Sequence, residues 1–361
     1  MWSLMPESSF TEVRTALPVI ECFSKRLGKF LSAENLKSNT SESILSKVET
    51  EKGIWLLKGH SPGTTDKQIR SEHTVATALA DNGLRLAVPF LPSNDGLPYT
   101  RHSDRYWTVT RYLDDDPRYD WTRPTWSSET CASAAAGLAQ LHLAGYRLLR
   151  RSSNIRSEFS PNQINTFTSK FDEAVKQLEQ GSGLAAASLK EFTESTSWLR
   201  EEVSTTVQQL EDPDYEHAPH TVLHGDYHAG NTLFQGDRLV GIVDLHYVHL
   251  GSPVYDLGYA TVMFGTDWLR NDHDNQGGSP ALPEFQAAFV MAYRKTVRQI
   301  GAEPAWLAAV NDSALLHKYM KLACFLIMHW AMEPTSSEEH LKTRNRVYLN
   351  ALSLLRQMDE H

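Results

Sequence analysis

Cysteine is scarce in this chain. The chain also contains neither a long hydrophobic run nor a surplus of positive charge. Its 361 residues include three cysteines, Cys22, Cys131 and Cys324, which lie far apart and form no CxxC pair. This spacing excludes a disulfide framework, and we expect three buried thiols. The longest apolar run, Leu322–Met328, is far shorter than the roughly 20 residues that cross a membrane.

The charge balance and the N-terminus narrow the possible partners and location. The 35 Lys and Arg residues are outnumbered by 44 Asp and Glu residues, which gives a formal net charge of −9. A general nucleic-acid binder needs a basic face, so we expect no nucleic-acid partner and no membrane association. The segment from Met1 to Glu7 lacks the basic and apolar regions of a secretory signal. We therefore expect a cytoplasmic protein, and no pattern indicates its oligomeric state.

The first part of the chain alternates helix and strand signals. Apolar residues at helical spacing predict helices, and compact runs rich in β-branched and aromatic residues predict strands. Glu51–Gly53 predicts the turn of an antiparallel hairpin, and Asn82-Gly83 predicts a helix end. The predicted elements are a helix at Glu12–Leu31, strands at Ser43–Thr50 and Ile54–Lys58, a helix at Gln68–Asp81 and a strand at Tyr106–Leu113.

Beyond Asp114–Pro117 the pattern becomes mainly helical, with short strands predicted within Thr221–Val243 and a polar loop at Asn271–Pro283. The sequence therefore predicts an α+β fold with two domains, residues 1–113 and residues 114–361. The predicted helices of the second domain are Ser127–Gly145, Gln163–Gln180, Leu184–Leu210, Glu284–Ile300, Ala305–Met332 and Ser336–Gln357.

One segment contains several polar side chains of the kinds that act in catalysis. It begins at His224 and reads His-Gly-Asp-Tyr-His-Ala-Gly-Asn-Thr-Leu. Asp226 and Asn231 lie five residues apart, and Asp244 follows Asn231 by thirteen residues at the end of an apolar strand. A hairpin turning at Gly236-Asp237 brings Asn231 and Asp244 to the same end. One carboxylate and one amide oxygen suit Mg²⁺, a hard cation that prefers oxygen ligands. Asp226 is then free to accept a proton from a hydroxyl group.

This arrangement resembles the aminoglycoside phosphotransferase and choline kinase superfamily. The resemblance continues through Gly251 and Asp256-Leu257, and upstream through Ala139–His142 and Glu72–Leu91. It implies a bilobal protein-kinase-like fold, with an antiparallel sheet in a small nucleotide-binding lobe and a larger, mainly helical lobe that carries the catalytic loop. It also implies transfer of a phosphoryl group from ATP, with GTP as the alternative, to a hydroxyl group in the presence of Mg²⁺.

The resemblance assigns further residues to the site. Lys58, at the end of a strand, corresponds to the lysine that holds nucleotide phosphates, and Glu72 in the next helix is placed to pair with it. Ser41 belongs to the candidate phosphate loop Lys37–Ser43, which lacks the glycines of a GxGxxG motif. The adenine is expected beside the strand end that contains Arg111 and Leu113. His224 and Asp256 are expected to support the catalytic loop.

The acceptor is less well defined by the sequence. An aminoglycoside-like antibiotic, an amino alcohol such as homoserine or choline, a sugar and a secondary metabolite all remain possible. A protein kinase and a non-catalytic nucleotide-binding module are the rival classes, although no APE-like segment follows Asp244. The candidate acceptor residues are His246, Tyr259, Asp267, Trp268 and Trp330.

Overall fold

The structure, a computed structural model, describes residues 17–36, 43–152, 154–159, 164–179, 186–210, 220–270, 279–335 and 337–359. Contacts divide the chain into two units. The first ends at Asp114 and also includes Gly241–His246, whereas the second contains Asp115–Val240 and continues from Tyr247. Asp244 therefore belongs to the first unit, while Asp226 and Asn231 belong to the second.

The first unit is built around a five-stranded antiparallel sheet with the strand order β1-β2-β3-β5-β4. The predicted hairpin is confirmed, because Val48 of β2 pairs with Trp55 of β3. Val48, Leu57 and Val109 are completely buried in the core of this unit. The strands are β1 (Phe30–Leu36), β2 (Ile44–Thr50), β3 (Gly53–Gly59), β4 (Thr100–His102) and β5 (Arg105–Arg111).

Beside a helical segment at residues 17–21, the described part of the first unit contains the helices α1 (Ser24–Leu27) and α2 (Asp66–Asp81). A capping box begins α2: the Thr65 hydroxyl accepts the Gln68 N–H, and the Gln68 side chain accepts the Thr65 N–H. The helix ends at Asp81 with Asn82 as its C-cap, and Gly83 takes the left-handed φ of 101° that favours glycine after a helix. The predicted helix is thus confirmed, and the inward face that buries Ile69 also carries Glu72 three residues later.

Helices dominate the second unit. Helix α3 has a buried face that is rich in alanine, and it packs extensively against α7, because small side chains let two helices approach closely. None of the described helices is long and apolar enough to cross a membrane. The helices are α3 (Ser128–Arg151), α4 (Ile164–Glu179), α5 (Ala186–Leu210), α6 (Pro253–Phe264), α7 (Pro283–Gln299), α8 (Pro304–Asn311), α9 (Ser313–Met332) and α10 (Glu338–Asp359).

Four short strands frame the predicted catalytic segment. β6 (Thr221–Leu223) pairs with β9 (His249–Gly251), and β7 (Thr232–Gln235) pairs with β8 (Arg238–Ile242). Gly236 makes the turn between β7 and β8 with a φ of 57°. The predicted catalytic loop therefore leaves β6 and enters β7, and Asp244 follows β8 by two residues.

Several predicted elements differ from the structure; among them, the helix expected over Ser127–Gly145 continues to Arg151. The helix expected to reach Leu31 ends at Leu27, because Gly28 takes a φ of 75° and β1 starts at Phe30. The single helix expected over Ala305–Met332 is two helices in the structure. Asp312 separates them, and its side chain caps the start of α9 by accepting two backbone N–H groups. The strands β1 and β4 were not predicted. The predicted strand end at Leu113 is also wrong, because β5 ends at Arg111.

Candidate active site

The predicted catalytic loop starts with a sharp turn at Gly225. This glycine has a φ of 81°, and a Cβ atom added to it would lie 2.4 Å from the carbonyl oxygen of Tyr247. A side chain at this position is therefore excluded by both backbone conformation and space. The turn is tightened by the Asp226 N–H, which donates to Nδ1 of His224 at 3.3 Å. His224 is completely buried, in agreement with a supporting role for it.

Asp256 of α6 anchors the same turn from inside the protein. Its Oδ2 accepts the His224 N–H at 2.6 Å, and its Oδ1 accepts the Gly225 N–H at 3.0 Å. Nε2 of His142 lies 3.0 Å from Oδ2, and Nδ1 of His142 lies 2.7 Å from the Tyr293 hydroxyl. Burial raises the pKa of Asp256, but the bond with His142 and nearby histidine charges outweigh burial and leave that pKa below its ordinary value.

The carboxylate of Asp226 is held by three side chains. The Tyr259 hydroxyl donates to Oδ1 at 2.8 Å, Nδ2 of Asn231 donates to Oδ2 at 3.1 Å, and Nε2 of His228 lies 3.4 Å from Oδ2. Nδ1 of His228 accepts the Gly230 N–H at 3.0 Å, so a neutral ring carries its proton on Nε2, facing the carboxylate.

These contacts decide the charge of Asp226. Burial raises its pKa, whereas the charge and hydrogen bond of His228 and the hydrogen bond from Tyr259 lower it. The lowering effects dominate, so the pKa of Asp226 lies well below its ordinary value. At neutral pH the side chain is therefore an ionised hydrogen-bond acceptor.

The Asn231 side chain is bound to the catalytic loop through its amide nitrogen. Its Nδ2 donates both to the backbone oxygen of Asp226 at 2.9 Å and to the Asp226 carboxylate, so both of its amide protons are used inside the protein. The amide oxygen takes no part in these two bonds. Carboxylates and amide oxygens suit Mg²⁺, which completes its coordination with water and phosphate. Asn231 and Asp244 thus fit such an ion by their chemistry, although the described residues contain no cluster of three His, Cys, Asp or Glu side chains that could hold a metal.

The first unit brings Lys58, Glu72 and Asp244 within electrostatic range of one another. Burial raises the pKa of Glu72 to about 7, the Asp244 charge acts in the same direction, and the Lys58 charge opposes them. The Leu245 N–H also stabilises the Glu72 carboxylate through a hydrogen bond. In the described part of the first unit, however, Lys58 and Glu72 form no ion pair within 4.0 Å. The pairing expected from the resemblance is therefore electrostatic here and not a direct contact.

Asp244 itself has an unusual backbone conformation. Its φ of 63° is left-handed, which costs energy for most residues and less for Asp and Asn. The conformation ends the extended course of β8 and starts the short 3₁₀ turn Leu245–Tyr247. Strained residues of this kind cluster at functional sites, and here the strain falls on a predicted metal ligand.

The other predicted site residues fall into different environments. Arg111 ends β5, where it pairs with Trp55, and Leu113 follows that strand. His246 belongs to the first unit and acts electrostatically on His60. Ser41 lies outside the described residues.

Two of the candidate acceptor residues serve the local structure of the second unit. Oδ1 of Asp267 accepts the Leu269 N–H at 3.2 Å, and Trp268 is completely buried. Tyr259 contacts the predicted catalytic carboxylate itself, as described above. Trp330 is partly exposed, and the Arg344 guanidinium lies 4.9 Å from the centre of its ring.

One aromatic residue beside the loop was missed by sequence reasoning. The Trp121 ring lies 5.8 Å from His228, 5.3 Å from Trp330 and 6.5 Å from Trp268, measured between ring centres. His228 in turn contacts Asp226, so these rings form an aromatic cluster beside the carboxylate. Trp121 lies in a segment without regular periodicity, and no local signal identifies it.

Comparison with known proteins gives relatives of low identity. The sequence is 25% identical over 323 residues to a homoserine kinase of Sinorhizobium fredii, covering 86% of both chains. It is also 25% identical over 232 residues to a homoserine kinase of Bradyrhizobium diazoefficiens, covering 64% of this chain. The matched segment spans 63% of the Bradyrhizobium protein, less than two thirds of its length.

Solved structures show the same fold at low sequence identity. A spectinomycin phosphotransferase in complex with ADP and spectinomycin aligns with a TM-score of 0.63 and 13% identity, covering 95% of this chain and 98% of that one. A microcompartment-associated aminopropanol kinase also gives a TM-score of 0.63, with 17% identity and coverage of 96% and 98%. The predicted α+β, protein-kinase-like fold is therefore confirmed.

The family follows from the sequence as well. The match to the family described as the phosphotransferase enzyme family extends over residues 38–310, which is more than half of the chain and includes the predicted catalytic loop and Asp244. The resemblance seen in the His224–Leu233 motif is thus confirmed, and the chain belongs to the phosphotransferase enzyme family.

Proposed function

We propose that the protein transfers the γ-phosphoryl group of ATP to a hydroxyl group of a small molecule. The observation that carries this proposal is the partly exposed, ionised carboxylate of Asp226, which Tyr259, Asn231 and His228 hold in place. The acceptor oxygen forms a bond to the γ-phosphorus, and the bond from that phosphorus to the bridging oxygen of ADP breaks. The hydroxyl proton passes to Asp226 and then to solvent, and the products are a phosphate monoester and ADP.

The low pKa of Asp226 indicates how the residue acts. A carboxylate that is a weak base accepts a proton late, when the bond to phosphorus has made the hydroxyl acidic. Its main contribution is to orient the acceptor oxygen toward phosphorus, which is the principal task of a protein in phosphoryl transfer. The hydrogen bonds to Asp226 support this role because they fix its direction.

We further propose that Asn231 and Asp244 hold Mg²⁺. When bound, the ion neutralises the charge of the nucleotide phosphates. The amide oxygen of Asn231 is available because both amide protons bond to Asp226. The proposed role of Asp244 is supported by its carboxylate and by its left-handed backbone in the family's metal position.

The nucleotide is assigned to the first domain, residues 1–113, and the acceptor to the second, residues 114–361. Lys58 is proposed to hold the phosphates of ATP, with Glu72 setting the local charge, and the strand end at Arg111 and Leu113 is proposed to face the adenine. ATP is the first choice and GTP the alternative. The solved spectinomycin phosphotransferase binds ADP, which supports a nucleotide in this fold.

An amino alcohol is the acceptor class that we propose to test first. The relatives that match this chain at 25% identity are homoserine kinases, and a neighbour in fold is an aminopropanol kinase. The aromatic cluster of Trp121, His228 and Trp330 beside Asp226 favours an acceptor with an apolar part. A protein acceptor is the alternative.

A screen of ADP release tests the proposal. Purified protein with ATP and Mg²⁺ is assayed with homoserine, aminopropanol, ethanolamine, choline, spectinomycin, a hexose and an unfolded protein. We expect one small hydroxyl compound to raise ADP release well above the rate with water alone, and mass spectrometry to detect its phosphate ester. Asp226→Asn should lower kcat by about 10² or more while it retains nucleotide binding.

Asp104→Asn is the matched control, because Asp104 is fully exposed on a turn of the first unit. It should have the activity of the unmodified protein. Near-normal turnover in Asp226→Asn would contradict the assigned role. Phosphorylation of the unfolded protein alone would instead support the rival protein-kinase function.

A further inference from the structure

We infer that Tyr259 is a positioning residue that fixes Asp226, and that the acceptor hydroxyl donates to the same carboxylate oxygen, Oδ1. This inference rests on the proposed function. Tyr259 was expected to line the acceptor site, but its hydroxyl instead donates to Oδ1 of Asp226 at 2.8 Å. The phenol therefore acts on the acceptor through Asp226.

The hydrogen bonds of Asp226 leave one oxygen for the substrate. A carboxylate offers about four acceptor sites, two on each oxygen. Oδ2 already faces Nδ2 of Asn231 at 3.1 Å and Nε2 of His228 at 3.4 Å. Among the described residues Oδ1 accepts only the Tyr259 hydroxyl, so it keeps a site for a second donor. The carboxylate side chain is 26% exposed, which allows a ligand to reach it.

Helix α6 explains why Tyr259 is suited to this task. Asp256 and Tyr259 are three residues apart and thus lie on one face of α6. Asp256 fixes the backbone of the catalytic loop at His224 and Gly225, whereas Tyr259 fixes the carboxylate of Asp226. One helix therefore anchors the loop at two points. The Asp226 carboxylate and the backbone of its loop are both held by α6.

The position of α6 is itself tightly fixed. A Cβ atom added to Gly258 would lie 2.7 Å from Cβ of Tyr319 on α9, so the two helices are in close contact at this residue. At the N-terminus of α6, the Ser252 hydroxyl accepts the Val254 N–H at 3.3 Å. Because Tyr259 belongs to α6, these contacts limit how far its phenol can move away from Asp226.

The phenol also has the right protonation state. Burial raises the pKa of Tyr259 well above its ordinary value, and the adjacent Asp226 charge adds to this effect. The group therefore stays a hydrogen-bond donor at neutral pH. Without that donor, the Asp226 carboxylate can rotate about χ2, and fewer bound acceptors are aligned for attack.

The test compares two variants that each lose one phenolic oxygen from α6. Tyr259→Phe removes the bond to Asp226, while Tyr255→Phe is the control, since Tyr255 lies one turn earlier and packs against His249 and Tyr319. Kinetics are measured with the best acceptor from the screen and, in parallel, as ATP hydrolysis with water as acceptor. Tyr259→Phe should lower kcat about 10-fold or more with the KM for ATP unchanged within about twofold. Tyr255→Phe should retain the unmodified kcat.

A double variant separates positioning from a general structural effect. If Tyr259 acts through Asp226, then Tyr259→Phe should cause no further loss of kcat in an Asp226→Asn background. Additive losses, or an unchanged kcat in Tyr259→Phe while Asp226→Asn is inactive, would overturn this inference and leave the proposed function intact. Full activity of Asp226→Asn would instead overturn the proposed function. A cooperative thermal transition in each variant, with a midpoint close to that of the unmodified protein, shows that both variants are folded.

Discussion

Nε2 of His142 lies 3.0 Å from Oδ2 of Asp256, and both side chains are completely buried. Nδ1 of the same ring lies 2.7 Å from the Tyr293 hydroxyl. A neutral ring that donates from Nε2 and accepts at Nδ1 satisfies both neighbours. The Asp256 carboxylate then accepts from one side chain and two backbone N–H groups, so its buried charge is compensated.

Replacement of Asp256 should therefore damage both stability and activity. Asp256→Asn places an amide where three donors converge, so one donor loses its acceptor. We expect a loss of about 2–4 kcal/mol in the free energy of unfolding, measured by urea denaturation, together with a lower kcat because the loop loses its anchor. Asp237→Asn is the control: Asp237 accepts from Ser127 and Thr130 on the exposed surface, and its loss should cost less. Equal stability of the two variants would contradict the anchoring role.

Lys58 should contribute to the binding of the ATP phosphates and not to the binding of the adenine. Lys58→Ala should weaken ATP binding strongly and adenosine binding little, because an ammonium group is a point charge that only the phosphates can use. Glu72→Gln should have a milder effect, since Glu72 makes no direct ion pair with Lys58 in the described part of the unit. Calorimetry with both ligands measures the difference. Lys67→Ala, an exposed lysine at the start of α2, is the control.

Equal weakening of ATP and adenosine by Lys58→Ala would show that Lys58 supports packing of the sheet instead. Unchanged ATP affinity would make Lys58 a solvated residue at the end of β3. The phosphate contacts would then have to be sought in the Lys37–Ser43 segment, of which residues 37–42 lie outside the described part of the chain.

Local sequence signals predicted the elements that local interactions define. Asn82-Gly83 ends α2, and the turn at Glu51–Gly53 joins two strands of suitable composition, so both features were visible in short windows. Strand β1 was missed because its exposure follows no two-residue alternation, and the apolar residues before it continued a helical pattern. The end of α8 was missed because it depends on the Asp312 side chain, which caps α9.

The candidate site was predicted where a motif carries it. The loop from His224 to Asn231 and the buried Asp256 could be found from residue types at fixed spacing. The contact of Tyr259 with Asp226 could not, because it joins residues 33 positions apart through the packing of α6. Trp121 is a similar case, since its position beside His228 and Trp330 results from tertiary structure alone.

The left-handed backbone of Asp244 allows its charge and its conformation to be tested separately. Asp244→Asn keeps a residue that tolerates a φ of 63°, whereas Asp244→Ala adds a backbone cost of about 1 kcal/mol. Both variants should lose the Mg²⁺ dependence of ATP binding in calorimetric titrations. Asp244→Ala should in addition have a lower thermal midpoint. Unchanged Mg²⁺-dependent binding in both variants would contradict the proposed metal role.

His60 should make the protein less stable in mild acid. Its ring is buried and lies 3.0 Å from the Thr108 hydroxyl, and burial together with the Lys58 charge lowers its pKa to about 3. The unfolded chain binds a proton near the ordinary pKa of about 6.5, whereas the folded protein does not. The stability that His60 contributes is therefore complete above pH 6.5 and is lost as the pH falls toward 3.

His60→Gln removes this titrating group. Between pH 7 and pH 5 the unmodified protein should lose about 2 kcal/mol more free energy of unfolding than the variant, because a difference of one pKa unit corresponds to about 1.4 kcal/mol. Urea denaturation of both proteins at several pH values measures this difference, and the contributions of groups common to both cancel. His60→Gln is expected to be the less stable protein at pH 7, so the slope against pH and not the absolute value is the relevant quantity. Parallel stability curves for the two proteins would show that His60 is protonated alike in the folded and unfolded states.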